Sequence, residues 1–301
     1  MNNVNSWLII MIAGLATAME IIDGFILSVS MPQIMGSLGA TLDEATMIAT
    51  SYSIAAVVIL PASAWLSDYF GRRNMFLISL AAFTFSSLAC GLAPNVWSLV
   101  IFRLIQGLSG GAMLPLSQSL IYEQFPMEKS GTAGSIMGML VMIGPTLGPV
   151  LGGFISDHYG WRMIFNINIP IGLMVLALAW IYIKDSTSED EAKPTKKFDL
   201  VGMVLMVLAI GCLDYALERG PTDEWFDSKV ILACVVIASI ALPLFILWEL
   251  TVEEPLVNLR YLGLKPVWVG SMHISISSFT IMSVFFIIPI FLSTAFHFEA
   301  R

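Results

Sequence analysis

The chain has 301 residues, of which 57% are hydrophobic and 12% charged, with a mean hydropathy of +0.84 and a formal net charge of −8. Soluble domains carry about 25% charged residues, so this composition excludes an ordinary soluble domain, and the acidic balance offers no basic face for nucleic acid. Apolar runs of about 20 residues separate the charges, which is the length of a membrane-spanning helix. Because the backbone must satisfy its own hydrogen bonds in lipid, an all-α integral membrane protein is predicted.

In chain order, the apolar runs predict nine membrane-spanning helices. The first is retained rather than cleaved as a signal, because the N-terminus lacks basic residues and Glu20 and Asp23 interrupt the apolar run. The three cysteines fall within apolar spans and indicate no disulfide framework. The predicted spans are residues 6–31, 46–66, 75–93, 97–119, 131–155, 162–183, 200–218, 229–249 and 266–294.

The basic residues of the loops predict the orientation of these helices. With the N-terminus inside, nine Lys and Arg residues fall in the inner loops and four in the outer ones, and the cytoplasmic side keeps the excess. The N-terminus is therefore expected in the cytoplasm, with the polar residues 184–199 as a cytoplasmic linker. The other predicted units are a six-helix bundle over residues 1–183, two accessory helices over 200–250, and a cytoplasmic loop with one further helix over 251–301.

A charged turn occurs twice in this apolar chain. Residues 67–76 read SDYFGRRNMF and residues 156–165 read SDHYGWRMIF, with five identities in ten positions. The first turn follows the second predicted helix on the inside, and the second follows the fifth helix on the outside. Two three-helix units of inverted orientation explain this arrangement. The alternative is a chance match, because Ser, Asp, Gly and Arg are common in short membrane turns.

Charged side chains lie within the first and fourth predicted spans. A charge near mid-bilayer costs about 2.5–3.5 kcal/mol even on an insertion scale, so these side chains are expected to face the protein interior. Glu20 and Asp23 are three residues apart and share a helix face, where such a pair can load a proton in one conformation and release it in another. Glu20 alternatively lies near the interface and snorkels. Arg103, followed by Gln106, either pairs reversibly with a helix-one carboxylate or locks helices one and four in a static ion pair.

Helix five carries small residues and prolines at regular spacing. Glycines every four residues line one stripe, so a neighbouring backbone can approach closely, and the prolines are expected to bend the helix. The functional interpretation is a kinked, tightly packed helix that seals a central path, and the alternative is generic packing of small residues. The positions concerned are Gly144, Pro145, Gly148, Pro149, Gly152 and Gly153.

Methionine is abundant, and Met113 and Met137 lie on predicted helices four and five. Flexible thioethers suit a pocket that repacks around varied apolar ligands, although methionine is also ordinary filler in membrane proteins. The sequence contains no nucleophile motif, phosphate loop or metal-ligand spacing. No catalytic residue, metal or cofactor is therefore predicted, and the protein is expected not to be an enzyme.

Several of these stretches resemble motifs of the major facilitator superfamily. Residues 64–76 are similar to its motif A, residues 99–107 to motif B and residues 144–153 to the antiporter motif C. Helix one, over residues 15–32, is similar to the signature of the 14-spanner drug:proton antiporters of EmrB/QacA type. The motif A positions retained in this chain are Asp68, Gly71, Arg72 and Arg73.

The resemblance implies the major facilitator fold and a proton-coupled antiporter that exports amphipathic or cationic drugs by alternating access. It implies a bacterial inner-membrane location, Asp23 as the proton carrier, Glu20 as an attractor of cations and Arg103 in proton transfer. It also implies that Asp68 and Arg72 latch the two halves of the transporter. Since the family has fourteen spans, the chain is expected to be truncated, with its last helix opening an incomplete C-terminal half.

The expected partners are amphipathic small molecules, protons and membrane lipid, and the resemblance leaves a periplasmic adaptor protein open. Two alternatives to drug export remain at this point. One keeps the fold and changes the exported compound to a metabolite or siderophore. The other is a non-transporting membrane fragment that associates with a partner.

Overall fold

The computed structural model describes residues 3–184 and 198–296, and in these residues it consists of helices and connecting turns without a strand. The first five helices are α1 (Asn3–Leu38), α2 (Leu42–Phe70), α3 (Arg72–Gly91), α4 (Val96–Tyr122) and α5 (Ser130–Tyr159). The others are α6 (Arg162–Asn166), α7 (Asn168–Tyr182), α8 (Leu200–Met206), α9 (Cys212–Arg219), α10 (Lys229–Thr251) and α11 (Lys265–Phe296).

Eight of the predicted spans are confirmed, because eight helices in the described part of the chain are long and apolar enough to cross a membrane. Helices α6 and α7 form one span, and α8 and α9, joined by a π-helical turn, form another. The chain is therefore a multi-pass membrane protein. The ninth predicted span falls on α11, whose crossing of the membrane stays a prediction. Residues 185–197 of the predicted linker lie outside the described residues.

The junction between α1 and α2 differs from the predicted limits because capping residues set it. Helix α1 continues through Pro32 and ends at Leu38, and the next residue, Gly39, has a φ of 63°, the left-handed conformation that terminates helices. At the start of α2, the Glu44 side chain accepts the Thr41 N–H at 2.9 Å, and the Thr41 hydroxyl accepts the Glu44 N–H at 3.3 Å. This capping box extends the helix beyond its apolar residues.

The first six spans pack together around two clusters of buried apolar side chains. Helix α1 lies against α4, α5 and α7, α2 lies against α4, and α3 lies against α4, α6 and α7. Helix α10 packs on α8 and α9, and Arg219 at the end of α9 forms an ion pair with Asp43 of α2 at 2.8 Å. Helix α11 contacts the 3-10 turn that precedes it, and its side chains up to residue 280 are largely exposed.

The repeated turn adopts the same backbone in both copies. Gly71 connects α2 to α3 with a φ of 83°, and Gly160 follows α5 with a φ of 80°. A residue with a Cβ is strained in this region of φ, which explains why glycine stands at the same place in both turns. The two turns lie at opposite ends of the bundle, which we name the Gly71 end and the Gly160 end.

Equivalent arginines after the two turns bind each other's helices in a reciprocal way. Arg73, at the start of α3, donates to the carbonyl oxygens of Trp180 at 2.9 Å and Ile183 at 2.6 Å, at the end of the sixth span. Arg162, at the start of the sixth span, donates to the carbonyl oxygen of Ala93, just after α3, at 3.1 Å. Cations are favourable at helix C-termini, so each arginine caps the partner helix. The organisation of the bundle as two inverted three-helix units stays a prediction, with which this exchange is consistent.

Candidate functional site

Asp23 and Arg103 form an ion pair in the interior of the bundle. The Arg103 Nη1 donates to Asp23 Oδ2 at 2.6 Å, and each residue is 1% exposed. Asp23 lies on α1 and Arg103 on α4, so the pair joins two helices through residues that are 80 positions apart in the sequence. Burying either charge alone is costly, because an ion removed from water loses several kcal/mol of solvation that only a close partner offsets. The structure therefore unites two of the residues predicted from the sequence.

Two side-chain amides bind the other oxygen of Asp23. Gln106 Nε2 donates to Asp23 Oδ1 at 3.0 Å, and Asn168 Nδ2 donates to the same oxygen at 2.7 Å. Both amides also donate to the hydroxyl oxygen of Ser87, at 3.2 Å and 3.0 Å, and the Ser87 hydroxyl donates to the carbonyl oxygen of Phe165 at 3.0 Å. The carboxylate of Asp23 is thus bound by α4 and α7, and Ser87 of α3 fixes the two amides that bind it.

Aromatic rings enclose the guanidinium of Arg103. Its Cζ lies 4.1 Å from the centre of the Tyr52 ring and 5.8 Å from that of Phe165. Its Nη1 also donates to Gln106 Oε1 at 2.9 Å. Cation–π contacts of this kind stabilise a guanidinium that has lost its water, because the ring face carries negative charge density. The site therefore contains a buried cation with a fixed orientation.

Glu20 lies one helical turn before Asp23 and points toward α2 and α4. Its Oε1 accepts the hydroxyl of Tyr52 at 3.4 Å, while its buried Oε2 has no hydrogen-bond partner among the described residues. A Cβ added at Gly110 would lie 3.2 Å from Glu20 Cγ, so this glycine leaves room for the carboxylate. A buried carboxylate oxygen without a donor is costly, which makes it a ready acceptor for a proton or a cationic group.

The glycine stripe of α5 packs directly on α1. A Cβ at Gly148 would lie 2.6 Å from Cβ of Phe25, and a Cβ at Gly152 would lie 2.7 Å from the carbonyl oxygen of Ile26. Gly144 meets the same helix one turn earlier. Since real Cβ atoms do not approach so closely, the absence of side chains here sets the distance between α5 and the helix that carries Asp23 and Glu20.

The other members of the predicted set on α5 lie in less constrained places. A Cβ at Gly153 would lie 3.7 Å from Val29, an ordinary contact. Pro145 and Pro149 lie inside α5, which continues from Ser130 to Tyr159. The bend that they were expected to cause stays a prediction. Met113 and Met137 are 0% and 6% exposed within the apolar core, and their role in a ligand pocket also stays a prediction.

The predicted motif A residues lie at the Gly71 end of the bundle. Arg72 forms an ion pair with Glu123, which follows α4, and Arg73 caps the sixth span. Asp68, in the last turn of α2, is exposed. The structure thus joins α3 to α4 and to the sixth span through the two arginines. A latch between two halves of a transporter stays a prediction.

Sequence reasoning missed Asn168, Ser87 and Tyr52. Asn168 stands in the apolar run of the sixth span, and a polar side chain in such a run is itself a signal, because it needs a partner inside the protein. Ser87 carries no such signal, since serine and threonine hydroxyls in helices commonly bind their own backbone, as Thr84 does to Leu80 at 2.7 Å. Tyr52 carries none either, because tyrosine is common near the ends of membrane-spanning helices.

Comparison with known proteins gives consistent matches along the chain. The family model of the Major Facilitator Superfamily matches residues 13–300. The Multidrug export protein EmrB of Haemophilus influenzae is 38% identical over 286 residues, which cover 95% of this chain and 56% of that protein. The Fatty acid resistance protein FarB of Neisseria gonorrhoeae is 37% identical over 281 residues, which cover 93% of this chain and 55% of that protein. The chain spans about half the length of the curated relatives it matches.

Solved structures resemble the chain in fold. The human organic anion transporter MFSD10 (TETRAN) aligns with a TM-score of 0.56 at 14% identity, covering 80% of this chain and 70% of that one. The POT family transporter PepTSo aligns with a TM-score of 0.55 at 17% identity, and the alignment covers 82% of this chain and 52% of that one. At such identities the likeness concerns the fold alone, and it confirms the predicted major facilitator fold.

Proposed function

This chain belongs to the major facilitator superfamily, a superfamily of membrane transporters rather than enzymes, and we propose that it acts in a proton-coupled exporter of amphipathic cations. The observation that carries the proposal is the buried Asp23–Arg103 pair beside the unpaired carboxylate oxygen of Glu20. A charged pair inside a membrane bundle is costly to maintain, and such pairs mark proton and substrate pathways. The similarity to multidrug export proteins supports the same function.

The proposed exchange uses the two carboxylates of α1 in different ways. A proton that binds Asp23 removes the negative charge that faces Arg103, so the ion pair between α1 and α4 is lost. A lipophilic cation that reaches Glu20 supplies the positive charge that this carboxylate lacks. Because both carboxylates lie on one face of α1, the positive charge of a cation at Glu20 disfavours a proton on Asp23, so proton and cation compete within one acidic site. Competition of this kind couples the inward movement of a proton to the outward movement of a drug.

The proposed orientation places the Gly71 end in the cytoplasm of a bacterial cell, with the protein in the inner membrane. The excess of basic residues in the loops on that side supports it. Arg72 and Asp68 then lie at the cytoplasmic mouth, where they take part in closing the transporter. A periplasmic adaptor is a proposed partner at the opposite end.

A second candidate is export of lipophilic acids, which the name of the relative FarB favours. A fatty acid is anionic at neutral pH, and the free carboxylate oxygen of Glu20 would repel it. Resistance of expressing cells to oleate, compared with resistance to ethidium, separates the two candidates.

Ethidium efflux tests the proposed function. The chain is expressed together with any reading frame that continues it, and loaded cells are followed by fluorescence. The expected result is efflux that stops when a protonophore collapses the proton gradient. Efflux that persists without the gradient, or no efflux above that of cells carrying an empty vector, contradicts the proposal. The 301-residue chain expressed alone, in parallel, tests the alternative of a non-transporting fragment.

A further inference from the structure

The hydrogen bonds around Asp23 form a closed ring in which every group bonded to Asp23 is a donor. Each amide nitrogen of Gln106 and Asn168 carries two hydrogens, and each uses one on Asp23 Oδ1 and one on Ser87 Oγ. Ser87 uses its own hydrogen on Phe165. Every hydrogen in the ring is therefore committed, and both lone pairs of the Ser87 oxygen are occupied. Arg103 adds a further donor on Asp23 Oδ2.

This ring accepts the ionised form of Asp23 and not the protonated one. A protonated carboxyl needs an acceptor for its hydrogen, whereas each group bonded to Asp23 donates. Hydrogen bonds to a carboxylate favour its charged form. The other titratable groups that face Asp23 are Glu20 on α1, Tyr52 on α2, Cys90 on α3 and Arg103 on α4.

We propose that Asn168 is a positioning residue that holds Asp23 in its ionised form and must release it when Asp23 takes up a proton. Asn168 is the one residue of the sixth span with a hydrogen bond to Asp23 among the described residues. Its bond to Ser87 and the caps made by Arg73 and Arg162 join the sixth span to α3. The inference rests on the proposed role of Asp23 as proton carrier, and it makes the sixth span the element that senses that proton.

Infrared titration of the purified 301-residue chain in detergent tests the inference without transport. The carbonyl stretch of protonated carboxyl groups is recorded as a function of pH, and the band that Asp23→Asn removes is assigned to Asp23. Asn168→Ala is expected to move the midpoint of this band upward by about one pH unit, which is about tenfold in proton affinity, because one strong donor to the carboxylate is lost. Asn168→Ser retains a hydroxyl donor and is expected to move the midpoint less. It replaces Asn168→Ala in the test if that variant does not fold.

Asn166→Ala provides the matched control. Asn166 lies in the same span, two residues earlier, and its buried Oδ1 has no hydrogen-bond partner among the described residues. This variant perturbs the span without touching Asp23, so the midpoint should stay where it is. A midpoint that Asn168→Ala leaves unchanged, or moves no further than Asn166→Ala does, overturns the inference. If the midpoint moves as expected but Asp23→Asn leaves proton-dependent efflux intact, the proposed function fails and the positioning role of Asn168 stands.

Discussion

Arg103→Met is expected to lower the free energy of unfolding of the 301-residue chain by about 3–5 kcal/mol, because it leaves the carboxylate of Asp23 buried without its cation. Methionine retains most of the length and the apolar contacts of the arginine stem, so the effect isolates the charge. The double variant Asp23→Asn/Arg103→Met is expected to recover most of this loss, since it removes both charges. Unfolding by increasing denaturant, in detergent, measures this free energy for the parent chain, for Arg103→Met and for the double variant.

Arg72→Met is the matched control for this prediction. Arg72 pairs with Glu123 at the Gly71 end, where the arginine side chain is 50% exposed. Exposed pairs contribute at most about 1 kcal/mol, so this variant should be close to the parent chain. A loss for Arg103→Met no larger than that for Arg72→Met would contradict the view that the buried pair stabilises the bundle. No recovery in the double variant would do so as well.

Glu20→Gln is expected to reduce efflux of ethidium, a cation, by about tenfold or more, because a hydrogen bond to a charged group contributes about 1.5–3 kcal/mol. Efflux of Nile red, an uncharged amphipathic dye, should change little, since the amide keeps the shape of the side chain and its contact with Tyr52. The measurement uses cells that express the chain with any continuing reading frame. Efflux rates of ethidium and of Nile red are recorded at a series of dye concentrations and compared between the parent and Glu20→Gln.

Glu20→Asp serves as the control for Glu20→Gln. It retains the negative charge on a shorter side chain, so ethidium efflux should remain well above that of Glu20→Gln. An equal loss for ethidium and Nile red in Glu20→Gln would indicate that Glu20 acts on folding or on the proton rather than on the cation. The assignment of cation recognition to Glu20 would then be wrong.

The sequence predicts well those parts of the molecule that depend on the length of apolar runs and on the regular spacing of residues along a helix. Apolar runs located eight spans because lipid demands continuous helices there, and the four-residue spacing of Gly144, Gly148 and Gly152 identified the stripe that faces α1. The predicted limits were less accurate at Gly39 and Thr41, because caps extend a helix beyond its apolar residues.

The site was predicted only in part, for a physical reason. Charged residues in apolar spans, such as Asp23 and Arg103, predict a site because burying a charge is costly and therefore requires a partner. The groups that complete the site are neutral: Asn168 donates to Asp23, and Ser87 accepts from Asn168. Only the packing of α7 on α1 and α3 brings them together. Periodicity within one helix does not give the rotation of that helix against the next. Contacts between spans therefore needed the structure.

Proton release on drug binding tests the central claim, exchange at one acidic site, most directly. The purified protein, including any reading frame that continues the chain, is mixed with ethidium in weakly buffered detergent solution at the midpoint pH of the Asp23 infrared band, where half of the Asp23 side chains are protonated. The pH is followed with an indicator dye. The account predicts that ethidium binding releases protons in the parent protein. It predicts binding without this release in Asp23→Asn. Ethidium binding without proton release in the parent, or the same release in Asp23→Asn, would contradict it.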